Sequence, residues 1–100
     1  MMINCFYEEN MKYCDIIYIP NSINQNVDNL EKLFIKWLFD KSNNHRYWVL
    51  VGNEKSYCEY GTEAFVEWIN DAYFSNSKEK AFIKQENASE WNEKNYKIVF

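Results

Sequence analysis

Apolar residues recur along this chain with two alternating periods, and that alternation restricts it to folds in which short strands surround two helices. From Ile23 the apolar positions step through Val27, Leu30, Phe34, Trp37 and Leu38. Steps of three and four lay them on one face of an α-helix. Leu33 and Phe39 broaden the stripe, so the helix over residues 23–40 reads as the central one. Phe65, Trp68, Ile69, Ala72 and Tyr73 repeat the spacing and predict a second helix over residues 62–74. Short segments without helical period fall at residues 3–7, 15–19, 47–51, 56–60, 81–84 and 96–100. Runs of that length read as strands.

Local signals punctuate these segments. Pro20 ends the second strand, and Ser22-Ile23-Asn24-Gln25 has the form of a capping box. Residues 41–45 are loop-like, and the unbroken apolar run at 47–51 suits a strand covered on both faces. Gly52-Asn53 predicts a hairpin turn. Thr62 is expected to cap the second helix, with Glu63 in its first turn, where the helix dipole favours an acid. Residues 86–94 form a polar loop or short helical turn around Trp91. The order is β-β-α-β-β-α-β-β. The class is α+β: a single domain over residues 1–100, with a mostly antiparallel sheet and two helices packed on one face. The expected core is Ile17, Val27, Leu30, Phe34, Trp37, Leu38, Val49, Phe65, Trp68, Ile69 and Ile98.

Such a core needs no disulfide or metal, because 19% of the residues are aromatic and aromatic side chains bury large areas. Cys5, Cys14 and Cys58 are an odd set without close spacing, expected as free thiols in the cytoplasm. Glu8 and Glu9 interrupt any secretory signal, and no apolar run is long enough to span a bilayer. The abundance of Asn, Lys, Ile, Glu and Tyr fits an AT-rich bacterial or phage coding bias.

The chemistry of catalysis is thin. His45 is the single histidine, and with Cys58 it would make a nucleophilic dyad only if its loop folded back. The weightier expectation is that Cys58 is a small buried filler and His45 a solvated loop residue. The Cys and His residues lack zinc-ligand spacing, no EF-hand loop occurs, and two glycines cannot build a phosphate cradle. No catalytic residue, metal or cofactor is therefore expected. Asn87-Ala88-Ser89 matches the glycosylation sequon by chance.

One charge pattern stands out. Glu63, Glu67 and Asp71 recur four apart on the second helix and share an exposed face. Residues 54–71 hold five carboxylates against Lys55, which equals the net charge of −4 of the whole chain. A charge run is often no more than a solvated face. The functional reading is a partner-binding site made of Glu59, Tyr60, Glu63, Glu67 and Asp71, docking a protein with a basic surface. Tyr57, Trp68 and Tyr73 are further aromatic candidates, with Trp68 on the apolar side of the helix. Tyr57 and Tyr60 lie on opposite faces of one strand, so one at most points outward.

The expectation is a small acidic inhibitor or modulator of a larger nucleic-acid-handling protein. The analogy of kind is with immunity proteins and phage-encoded anti-defence inhibitors carried on mobile elements. A non-catalytic subunit that homodimerises is the alternative, followed by a small enzyme using Cys58. Direct nucleic-acid binding ranks last, since Glu79 and Glu86 dilute the basic set Lys78, Lys80 and Lys84. Nothing points to a membrane partner.

Overall fold

The computed structural model describes residues 1–7 and 11–100. The elements are β1 (Met2–Phe6), β2 (Cys14–Tyr18), α1 (Val27–Leu38), β3 (Trp48–Val51), β4 (Glu54–Cys58), α2 (Thr62–Tyr73), β5 (Phe82–Ala88) and β6 (Tyr96–Val99). The chain is α+β in the order read from the sequence. It divides into two compact units, one of residues 1–24 and 61–100, the other of residues 25–60.

The first unit holds a four-stranded sheet in the order β5-β2-β1-β6, together with α2. The β1–β2 and β2–β5 pairs are antiparallel, whereas β1 and β6 run parallel, Ile3 opposite Tyr96 and Cys5 opposite Ile98. The sheet is thus mixed. β1 and β2 are its central strands, and both of their faces are covered: Ile3, Asn4, Cys5 and Phe6 are buried in succession, as are Cys14, Asp15, Ile16 and Ile17. On one face Phe65 of α2 meets the Phe100 ring edge-on at 5.8 Å, and Tyr7 lies 6.1 Å from Phe100. On the other, Phe6, Cys14, Ile16 and Ala88 form a cluster with Met2 and Trp91 against them. Trp91 packs its ring against Phe6 in a T-shape at 5.2 Å. Asn4, only 2% exposed, pins this covering segment: its Nδ2 donates to Asn92 O at 3.0 Å, and Asn95 Nδ2 donates to its Oδ1 at 3.2 Å. The segment over residues 86–94 is therefore divided. Its first part extends β5, and the rest, around Trp91, is a loop that closes a sheet face.

The second unit pairs α1 with the β3–β4 hairpin, a separate two-stranded antiparallel sheet. Gly52 (φ 56°) and Asn53 (φ 70°) both take the left-handed conformation at the turn, which is what a two-residue hairpin connection requires. A bulge on β4 interrupts the register after Val49.

Several local expectations are corrected. The cap of α1 is Asn26, whose side chain accepts from Asn29 N–H at 2.8 Å, so the helix starts at Val27. Ser22 instead donates to the Glu79 carboxylate at 2.9 Å. Thr62 is the first residue of α2, not its cap; Gly61 is the cap and offers no side chain. The run at 47–51 is not covered on both faces, for Leu50 is 58% and Val51 62% exposed. Trp37 and Val49 are half-buried, while the other nine residues of the expected core are buried.

Candidate functional site

α2 is a two-sided helix. Thr62, Ala64, Phe65, Val66, Trp68 and Ile69 are buried, and Glu63, Glu67 and Asp71 are all exposed on the remaining surface. The apolar side is anchored by Phe65, stacked on Trp68 at 6.2 Å, and by Tyr73, edge-on to Trp68 at 5.8 Å. Asn70 fixes the C-terminal half, with Nδ2 donating to Ala81 O at 3.0 Å and Oδ1 accepting from Ala81 N–H at 2.7 Å. The last turn contains no basic residue. Lys80 supplies the missing positive charge from outside, donating to the carbonyl of the C-cap residue Phe74, as the negative end of a helix dipole favours. The acid at Asp71 therefore stands on a helix whose end is neutralised from beyond it.

The remaining expected site residues belong to the second unit. Glu59 is exposed just past β4. Tyr60 is half-buried, its ring edge-on to Phe34 at 5.9 Å and to Phe39 at 6.1 Å, and burial raises its phenol pKa above 10.0. Of the two tyrosines Tyr57 and Tyr60, Tyr57 is the one that faces out, at 49% exposure. Tyr73, at 36%, is the exposed aromatic on α2 itself.

His45 and Cys58 are brought to the same atom. His45 Nε2 lies 2.7 Å from Leu38 O, and the Cys58 thiol donates to that oxygen at 3.4 Å. Nδ1 of His45 accepts from Tyr47 N–H at 3.2 Å, so the ring hydrogen sits on Nε2 and the imidazole donates to Leu38. With both nitrogens engaged on backbone groups, His45 has no lone pair free to activate the thiol. Cys58 is half-buried rather than the fully buried filler expected, and its partial burial raises its pKa above 9.0, opposite to the shift an activated cysteine shows. His45 is not the solvated loop residue expected: it is half-buried, 4.6 Å from the Trp37 ring and stacked at 5.3 Å on Trp48. Among the described residues, no group of three or more His, Cys, Asp or Glu is placed to hold a metal ion. No helix among them is long and apolar enough to cross a membrane.

A buried polar cluster in the first unit was not anticipated. Asp15, 7% exposed on β2, accepts from Thr62 Oγ1 at 2.7 Å, from the Tyr7 hydroxyl at 2.9 Å and from Asn87 N–H at 3.0 Å. The Tyr7 oxygen also accepts Thr62 N–H at 3.0 Å, doing for the start of α2 what a capping side chain would do. A Cβ on Gly61 would lie 2.6 Å from that hydroxyl, so the cap position has to be glycine for Tyr7 to reach it. Asn87 offers its N–H from a left-handed conformation (φ 51°) near the irregular β2–β5 register. The visible signal was Asp15 itself, a charged residue heading an otherwise apolar strand. The donors of the cluster are all directed at partners within it, which suits an anchor for the start of α2.

No protein-family model, curated protein or solved structure matches this chain.

Proposed function

We propose that this chain is a small acidic protein-binding module that docks a basic, nucleic-acid-handling protein through the outer face of α2. The observation that carries the reading is the division of that helix: one side buried from Thr62 through Ile69, the other bearing Glu63, Glu67 and Asp71 exposed at successive turns. Such a face attracts a cationic partner mainly by speeding encounter and setting orientation. Tyr73 is an exposed aromatic on the same helix. Inhibitors of the immunity-protein or anti-defence kind act in this way on larger enzymes.

The test begins by capturing partners from the native host on the tagged chain and identifying them by mass spectrometry. The variant Glu63→Lys, Glu67→Lys, Asp71→Lys is then compared with the parent. The reading requires an intact fold, a slower association rate and a flatter salt dependence. Unchanged affinity and salt slope would reduce the face to solvated surface.

A second reading, homodimerisation, draws on the hairpin. β3 carries no charged residue, and Leu50 and Val51 at its end, with Tyr57 on β4, are exposed. An edge strand without charge is open to pairing. Sedimentation equilibrium across a hundredfold concentration range separates the two readings.

A further inference from the structure

Three oxygens and an aromatic face converge on the side chain of Lys55. Its Nζ donates to the backbone carbonyls of Lys41 and Asn43, the latter at 3.0 Å, and to the Asn44 side-chain oxygen. It also lies 5.8 Å from the centroid of the Trp48 ring. A lysine ammonium has three N–H donors and no acceptor, so these contacts saturate it. The acceptors fall in the loop just beyond the C-terminal end of α1, where the helix dipole favours positive charge. The same loop is tied to its surroundings by neutral donors: Asn43 Nδ2 to Trp37 O and Trp48 Nε1 to Asn43 O, each at 2.8 Å. Lys55 is the cationic donor in this set, and the Asn43 carbonyl serves it and the Trp48 indole together.

We propose that residues 41–44 form a binding loop for a primary ammonium ion, filled in this chain by its own Lys55, and that the internal ion latches the loop and the Trp48 indole in place. The site has the composition an ammonium receptor needs: three converging oxygen acceptors for the three N–H groups, and the face of a tryptophan beside the charge. It does not depend on how the acidic face of α2 is used.

The unmodified protein gives the first test. Under limiting N-hydroxysuccinimidyl acetate, read by peptide mass spectrometry, Lys55 acetylates at least tenfold more slowly than the exposed Lys84 and Lys97; equal rates overturn the latch. In the second, Lys55→Met removes the charge at similar length, and the Trp48 indole N–H exchanges with solvent at least tenfold faster. In Lys55→Ala, millimolar propylammonium, which replaces the atoms deleted, restores slow exchange. Tetramethylammonium has no N–H and does not. Exchange unchanged in both variants overturns the proposal, as does equal rescue by the two cations, which would mark a general salt effect. Should the variants fail to fold, the acetylation rates of the native chain decide.

Discussion

Removing one oxygen from Tyr7 should destabilise the first unit far more than its position near the end of a strand suggests. In Tyr7→Phe the ring remains, and the hydroxyl that donates to Asp15 and accepts from Thr62 N–H is lost. A hydrogen bond to a charged acceptor contributes about 1.5–3 kcal/mol net. Tyr7 is 43% exposed, so water can partly replace it, and about 1 kcal/mol is a fair share for that bond. The orphaned N–H at the first position of α2 adds about 1 kcal/mol more. The sum, about 2 kcal/mol, lowers the melting temperature by roughly 10 °C in a chain of this size. Urea denaturation followed by tryptophan fluorescence measures it, with Tyr96→Phe, 59% exposed, as a control expected within about 0.5 kcal/mol of the parent. A double-mutant cycle with Thr62→Val should return a coupling of at least about 0.5 kcal/mol. If Tyr7→Phe matches the parent within about 0.5 kcal/mol, the cluster does not anchor α2.

Burial raises the pKa of Tyr7, Tyr60, Cys14 and Cys58 alike. Each keeps its proton in the folded chain at a pH where the unfolded chain has begun to lose it. Their stabilisation is complete below the unfolded values and drains away as pH rises through the thiol and phenol ranges, from about pH 8.5 upward; a urea midpoint at pH 10 no lower than at pH 7.5 would contradict this. Asn26→Ala should cost about 1 kcal/mol as the loss of a helix cap, whereas Ser22→Ala, on an exposed hydrogen bond, should change stability by less than about 0.5 kcal/mol, both read from denaturation curves. Cys58→Ala should cost about 1 kcal/mol through a small cavity and leave partner binding intact, and the native thiol should alkylate slowly with iodoacetamide at pH 7.5; rapid alkylation would reopen the cysteine enzyme.

What the sequence discloses depends on how local the cause is. Both helices and the Gly52-Asn53 turn were legible because their signals lie within a few residues of one another. The caps misled by a few positions, since Ser22 and Asn26 are both good capping residues and only the path of the chain selects between them. The unbroken apolar run at 47–51 resembled a strand buried on both faces, yet that description belongs to β1 and β2, whose runs are broken by Asn4 and Asp15. Those two polar residues are buried because Asn92, Asn95, Thr62, Tyr7 and Asn87 supply partners from up to 91 residues away. The parallel pairing of β1 with β6 is equally remote from local pattern. Of the candidate site, the acidic spacing on α2 was plain, because the helical repeat alone determines it; the inward packing of Tyr60 depends on Phe34 and Phe39, which no spacing rule connects to it.

The parallel β1–β6 pairing also has a kinetic meaning. Ile3 meets Tyr96 only after more than ninety intervening residues are gathered in, whereas the hairpin and α1 are contiguous in residues 25–60. Long closures are slow, because their entropy is lost before their contacts reward it. On the ribosome the hairpin segment is complete while β5 and β6 are still unsynthesised, and until they emerge β1 and β2 remain an isolated pair with two open edges. A kinetic experiment should resolve early hairpin protection from the later closing of the sheet.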